Sequence, residues 1–299
     1  MPWRRTTSLT VPPAPGRVPL RHLVPAVGVV VGLLTAAGVS VAGHPPSGGG
    51  AAAPRTAAPA GLRGATTTAP DPALAPLHAS TAAPLRVLEI GDSLGIDLGD
   101  QLQSRLDATA MVRTTMASVG DSGLSNVAFY DWPAHLATLL ATDRPQVVVV
   151  FIGANDDQGL DVDGAAVEPG TPAWDAAYAR RVDEVLGEST SAGARVVWVG
   201  MPPMADPDLN AAMENEDVID QRETGRFAGT SYVSSRSVLG NASGLYETSG
   251  VDPSGAPVAL RTPDGVHLTP AGAGLLAGIV IDAVDSRFDL ILGAPPASG

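Results

Sequence analysis

The chain has no cysteine and no lysine. Without cysteine there is no disulfide framework, no thiolate zinc site and no cysteine for lipid attachment, so packing alone must hold the fold. All 18 basic residues are arginine; six lie before residue 85 and twelve after it, whereas 30 of the 31 acids lie after it, Asp71 being the exception. The C-terminal 215 residues therefore carry a formal charge of −18. Such a surface argues against nucleic acid as a partner, because phosphate binding needs clustered cations; it reads as a solubilising surface.

What is present is unevenly distributed. Residues 1–22 carry Arg4, Arg5, Arg17 and Arg21 with no acid, and residues 23–43 (LVPAVGVVVGLLTAAGVSVAG) carry no charge at all. A span of that length crosses a bilayer as a helix, and the basic flank places the leader in the cytoplasm with everything from His44 onward exported. The small residues of SVAG also suit a signal peptidase cutting after Ala42, so a membrane anchor through 23–43 and a cleaved signal peptide are both expected forms. Residues 44–84 are mostly Pro, Ala, Gly, Thr and Ser, without periodicity, and read as a disordered linker. A single folded domain is expected over 85–299.

Within it, residues 85–90 (LRVLEI), 147–152 (VVVVFI) and 195–200 (RVVWVG) are short β-branched runs, the middle one apolar throughout. Strands buried on both faces look like this. Leu98, Leu102 and Leu106 repeat at helical spacing after the first run, and Trp174, Tyr178, Val182, Val185 and Leu186 mark a helix from Pro172 to about Ser189. Thr269 and Pro270 form an N-cap and first-turn pair for a last helix. Strand and helix alternate, so the expected fold is a three-layer α/β/α sandwich with a mostly parallel, flavodoxin-like doubly wound sheet.

Ligands of such sheets gather where strands end. Three polar stretches stand there: Gly91-Asp92-Ser93 after the first strand, Gly153-Ala154-Asn155-Asp156 after the second, and Asp264-Gly265-Val266-His267 before the last helix. Each alone is ordinary turn composition, and a serine before a helix is usually a cap. His22, His44 and His78 lie in the leader or linker, leaving His135 and His267 as candidate bases. His135 sits among leucines on an expected helix, as a packed or surface histidine would, whereas His267 has a carboxylate three residues earlier. A hydroxyl nucleophile needs a base, and the base needs a group that fixes its tautomer.

IGDSL, a glycine-bearing second block (SVGDSGLSN), GAND and DGVH, in this order and spacing, resemble the blocks of the SGNH (GDSL-type) hydrolase family over nearly all of residues 86–281. FYDWPAHL, VVWVGMPPM and LRTPDGVHLTPAG further resemble an exported bacterial branch of that family, of poorly defined role.

The resemblance implies that Ser93 is the nucleophile, His267 the base and Asp264 its orienting carboxylate. It implies an oxyanion hole made by the backbone N–H of Ser93, the N–H of Gly123 or Gly120, with Gly123 the better fit, and the side-chain amide of Asn155. Asp92, Asn126, Trp132, Asp157 and Gln158 lie close enough in sequence to line a substrate pocket; Trp132 packing beneath a loop, with Asp157 and Gln158 as caps, fits the same letters equally well. No metal or cofactor is called for, and DVDG at 161–164 lacks the later spacing of a calcium loop. The NAS sequon at 241–243 carries little weight in a chain of bacterial look.

The implied function is a serine esterase acting on small acyl esters, acetyl above all, plausibly borne on cell-envelope carbohydrate. The same residues would serve an O-acyltransferase whose acceptor is a glycan hydroxyl. A noncatalytic envelope-binding protein would be expected to have lost one of Ser93, Asn155, Asp264 and His267, and all four are present.

Overall fold

The structure is a computed structural model that describes residues 77–288, with side chains to residue 286. The basic leader, the apolar span 23–43 and the linker up to residue 76 lie outside the described residues. Among the described residues no helix is long and apolar enough to cross a membrane.

Along the chain run β1 (Leu85–Gly91), α1 (Ser93–Asp107), β2 (Val112–Met116), α2 (Trp132–Asp143), β3 (Val147–Phe151), β4 (Leu160–Val162), β5 (Ala165–Val167) and α3 (Pro172–Ser191). These are followed by β6 (Arg195–Gly200), α4 (Pro207–Thr224), β7 (Thr230–Ser234), α5 (Arg236–Leu239), β8 (Ser249–Val251), β9 (Pro257–Ala259) and α6 (Pro270–Phe288). Five strands form one parallel sheet in the order β2-β1-β3-β6-β7. Counted among themselves these strands run 2-1-3-4-5, the flavodoxin-like doubly wound order expected from the sequence. Two antiparallel hairpins, β4–β5 and β8–β9, stand apart from it.

The three layers follow from side-chain alternation in the strands. Val147, Val149 and Phe151 of β3 pack with Leu94, Leu98, Leu102, Leu276 and Val280 of α1 and α6. Val148, Val150 and Ile152 face the opposite way, onto Leu136, Trp174, Val182 and Leu186 of α2 and α3. Every residue of β3 is buried, which is why its sequence is apolar at each position rather than alternating.

The helix starts are set by local chemistry. Asp92 caps α1, its side chain accepting the Leu94 N–H; Thr171 caps α3 ahead of Pro172; and Thr269 Oγ1 accepts the Gly272 N–H as α6 begins at Pro270. The expected strands and helices all form. Unforeseen are α4, the short α5, the edge strands β2 and β7 and the two hairpins. The buried side of α4 carries Glu216, Asp220, Glu223 and Thr224 beside Met213 and Ile219, which breaks the apolar period that betrays a helix. DVDG spans the end of β4 and the two-residue turn into β5, with the Gly164 N–H donating to Asp161 Oδ1.

β1 lies between β2 and β3, so the chain direction of the crossovers reverses at this strand. The loops leaving β1 and β3 therefore part toward opposite faces and open a crevice at the C-terminal edge of the sheet. Ser93 stands at the exit of β1, and Asn155 at the exit of β3.

Candidate active site

Ser93 is the first residue of α1. Its Oγ lies 2.9 Å from His267 Nε2, and His267 Nδ1 lies 2.8 Å from Asp264 Oδ2. The carboxylate on Nδ1 fixes the tautomer: Nδ1–H donates to Asp264, which leaves the Nε2 lone pair to accept from the serine hydroxyl. The three residues are 171 and 174 positions apart in the chain and meet because α1 and the loop before α6 both end at the same edge of the sheet.

Asp264 is held by its own loop. Its Oδ1 accepts from the Thr262 hydroxyl (2.7 Å), the Val266 N–H (2.9 Å) and the His267 N–H (3.0 Å). The Thr262 hydroxyl above all, then the Val266 amide and the His267 ring and amide, keep its carboxyl well below the usual carboxylate range although burial opposes them slightly. Both groups remain open to solvent, the His267 and Asp264 side chains being 39% and 50% exposed.

Beside Ser93, the Asn155 side-chain amide donates to the Ser122 carbonyl at 2.9 Å. That carbonyl belongs to the peptide whose N–H is contributed by Gly123. Asn155 thereby fixes this peptide while retaining a second N–H of its own. The Gly123 N–H has no acceptor among the described residues. The Ser93 N–H, at the first position of α1, is one of those that helix geometry leaves without an intrahelical acceptor. Gly120, the alternative from the sequence, sits in a roomier spot, with only Ile96 Cδ1 within 4.0 Å of where its Cβ would be.

Two buried carboxylates tie these loops together. Asp92 Oδ1 accepts from the Leu94 N–H (2.8 Å), and its Oδ2 from the N–H groups of Gly153 (3.0 Å) and Ala154 (2.8 Å). Burial raises its pKa to about 6 against the pull of those three amides. Asp156 does the same for the second block: Oδ1 accepts from the Ser125 N–H (2.7 Å) and hydroxyl (2.6 Å), and Oδ2 from the Leu124 N–H (2.9 Å). Burial raises Asp156 as well, opposed by the Ser125 hydroxyl and these amides.

Most residues that the sequence offered as pocket lining hold loops instead, Trp132 in the packed role that the sequence equally allowed. Asp92 is fully buried and spends its carboxylate on backbone amides, so it does not face a substrate. Trp132 is 1% exposed; its Nε1 donates to Ser122 Oγ and its ring meets Tyr130 edge-on, so it supports the second block from beneath. Asn126 Oδ1 accepts the Phe129 N–H and shapes a turn. Gln158 Nε2 donates to the Asn155 carbonyl and steadies that residue from behind. Only Asp157 opens outward, onto a cavity of about 240 Å³ lined also by Trp174, Asp208, Asn215 and Glu216. His135 is exposed on α2, bonded through Nδ1 to the Asp131 carbonyl and stacked on Tyr130, away from Ser93's partners.

Sequence reasoning missed Asp156, Ser122 and Asp97. The first two were legible as the last letter of GAND and a serine next to Gly123, but the amides that Asp156 accepts, and the Asn155 side chain that the Ser122 carbonyl accepts, come from segments more than 30 residues away. Asp97 had no signal beyond standing one helical turn after Ser93.

Two solved structures share this architecture at a TM-score of 0.50. LAE5, an alpha/beta hydrolase enzyme from the metagenome of Lake Arreo, Spain, is 16% identical over 68% of this chain and 96% of its own. A putative lipolytic protein of the G-D-S-L family from Desulfitobacterium hafniense DCB-2 is 11% identical over 66% and 98%. No curated protein matches the sequence significantly. At these identities the likeness shows a shared fold, the layered α/β/α sheet. The chain belongs to the family described as protein of unknown function (DUF459), whose model matches residues 86–283.

Proposed function

We propose that the protein is a serine esterase in which Ser93 attacks the acyl carbon, His267 takes and returns the proton, and Asp264 orients and stabilises the imidazolium. The observation that carries the reading is the continuous hydrogen-bonded chain Ser93 Oγ–His267–Asp264, with spacings of 2.9 and 2.8 Å.

As Ser93 Oγ bonds to the carbonyl carbon, its proton passes to Nε2 and the carbonyl electrons move onto oxygen. The free N–H groups of Ser93, Gly123 and Asn155 receive that oxyanion. Collapse of the intermediate expels the alkoxide, which takes the proton from Nε2 as it leaves. Water then repeats the sequence and releases the acid.

The half-exposed His267 and Asp264 support a substrate whose bulk stays outside the site: a small acyl group, acetyl above all, on a large alcohol such as a polysaccharide. The apolar span 23–43 and the linker after it support an exported domain facing envelope carbohydrate, either anchored or released after Ala42. The test is hydrolysis of p-nitrophenyl acetate and of an acetylated polysaccharide by the full chain beside Ser93→Ala. Loss of turnover in the variant is expected; full activity of Ser93→Ala would overturn the assignment.

A further inference from the structure

We propose that Asp97 is a positioning residue for the base: it holds the backbone at His267 from the nucleophile's own helix and sets a second negative charge near the imidazole. This rests on the assignment of Ser93 and His267 above.

Ser93 and Asp97 are four residues apart on α1, so they share a face of the helix about 6 Å apart along its axis. Each makes one bond to the segment before α6. Ser93 Oγ meets His267 Nε2 at 2.9 Å, and Asp97 Oδ2 accepts the Leu268 N–H at 3.0 Å. Among the described residues these are the two hydrogen bonds that join α1 to residues 260–269.

Three consecutive amides of that segment are thus taken by two carboxylates. Asp264 accepts from Val266 and His267, and Asp97 from Leu268. Asp264 belongs to the same loop and moves with it, so it sets the orientation of the ring but not its distance from Ser93. Arg261 anchors the loop on its other side by donating to the Val266 and Pro203 carbonyls, which ties it to the exit of β6. Apart from the Ser93–His267 bond itself, Asp97 is the hydrogen-bonded tie, among the described residues, between this loop and the helix that carries the nucleophile.

The charges facing Asp97 are His267 and Asp264 on the loop and Asp100 on α1. Partial burial lifts its carboxyl above the ordinary range, the Leu268 amide and then His267 draw it back, and Asp100 and Asp264 push it up again. The attraction to His267 is mutual, so the ionised carboxylate favours the imidazolium that forms as Ser93 attacks.

The experiment compares the full chain with Asp97→Asn and Asp97→Ala on p-nitrophenyl acetate across pH, together with labelling by a fluorophosphonate probe. Asn retains an oxygen for the Leu268 N–H but no charge; Ala retains neither. Misplacing a reacting group by about an ångström can cost on the order of a hundredfold, so Asp97→Ala should lose roughly 30-fold in kcat at little changed KM and label correspondingly slowly. Asp97→Asn should lose only a few fold in kcat. Without the negative charge the imidazolium sheds its proton more readily, so the acidic limb of kcat/KM should move to lower pH.

Unchanged kcat, labelling rate and acidic limb in both variants would overturn the proposal, as would a loss confined to KM, which would make Asp97 a substrate contact. Should Asp97→Ala fail to fold, an Asp97→Asn protein with wild-type kcat and an unmoved limb overturns it by itself. A wild-type chain that neither turns over ester nor labels at Ser93 overturns the esterase assignment instead.

Discussion

Asp156 and Gly123 meet so closely that only glycine fits: a Cβ at position 123 would lie 2.2 Å from Asp156 Oδ1. The same carboxylate accepts the N–H groups of Leu124 and Ser125, the two residues that follow. It therefore draws the second block down onto the third, leaving the Gly123 N–H as the unused donor. The glycine here answers a close approach, because its φ lies outside the left-handed region.

Gly123→Ala should separate the two loops while sparing the sheet, since the clash is confined to the contact with Asp156. Losing one oxyanion donor costs roughly a hundred- to a thousandfold in turnover. The expected outcome is a fall of about a hundredfold or more in kcat for p-nitrophenyl acetate, with the circular dichroism of the parent. Parental turnover would remove Gly123 from the oxyanion hole and return the role to Gly120.

Glu89 gives the protein a pH-dependent stability. It is fully buried in β1 beneath α1, where a Cβ at Gly95 would lie 2.9 Å from its Oε1. Burial above all, helped by Asp92 and Asp100 and opposed by the Ser118 hydroxyl, pushes its pKa from 4.5 up to about 8. Between those values the folded chain holds a proton that the unfolded chain has released, so stability falls as pH rises through the window and levels off above about 8. Asp92, raised to about 6, acts in the same sense at lower pH. Burial raises Glu216 and Asp220 in the same direction, so the Glu89 share is read from a variant: wild-type Tm should drop between pH 6.5 and 8.5, and Glu89→Gln should lessen the drop. Parallel melting curves for the two proteins would show that Glu89 is ionised at no such cost.

Trp132→Phe distinguishes a support from a substrate wall. The change deletes the Nε1–H bond to Ser122 Oγ and keeps most of the buried ring. A lost neutral hydrogen bond of about 1 kcal/mol lowers Tm by roughly 2–4 °C in a domain of this size. KM for p-nitrophenyl acetate should stay at its wild-type value because the ring is 1% exposed. A raised KM at unchanged Tm would put Trp132 at the substrate after all.

The architecture could be read from the chain because burial on both faces forces its own signature. VVVVF in β3 is apolar throughout since both layers cover it, and the leucine repeat of α1 and the Thr-Pro entry to α6 are local facts of helix geometry. The polar blocks could be read as turns at strand ends for the same reason. α4 could not, because its inner face holds Glu216, Asp220 and Glu223 against the neighbouring helix and sheet, and no local rule places carboxylates there.

By itself the sequence determined the layered sheet, the order of its blocks and which residue types could carry acyl chemistry, since these depend on periodicity and composition within a few turns of chain. Only the tertiary structure decided what each polar residue does. Asp92 and Trp132, neighbours of the site in sequence, turn inward to hold its loops; Asp97, unmarked in sequence, reaches Leu268 across 171 residues. The reason is that a carboxylate's role is set by which amides surround it, and here those amides come from segments that meet only when the sheet brings the ends of β1 and β3 and the loop before α6 to one edge.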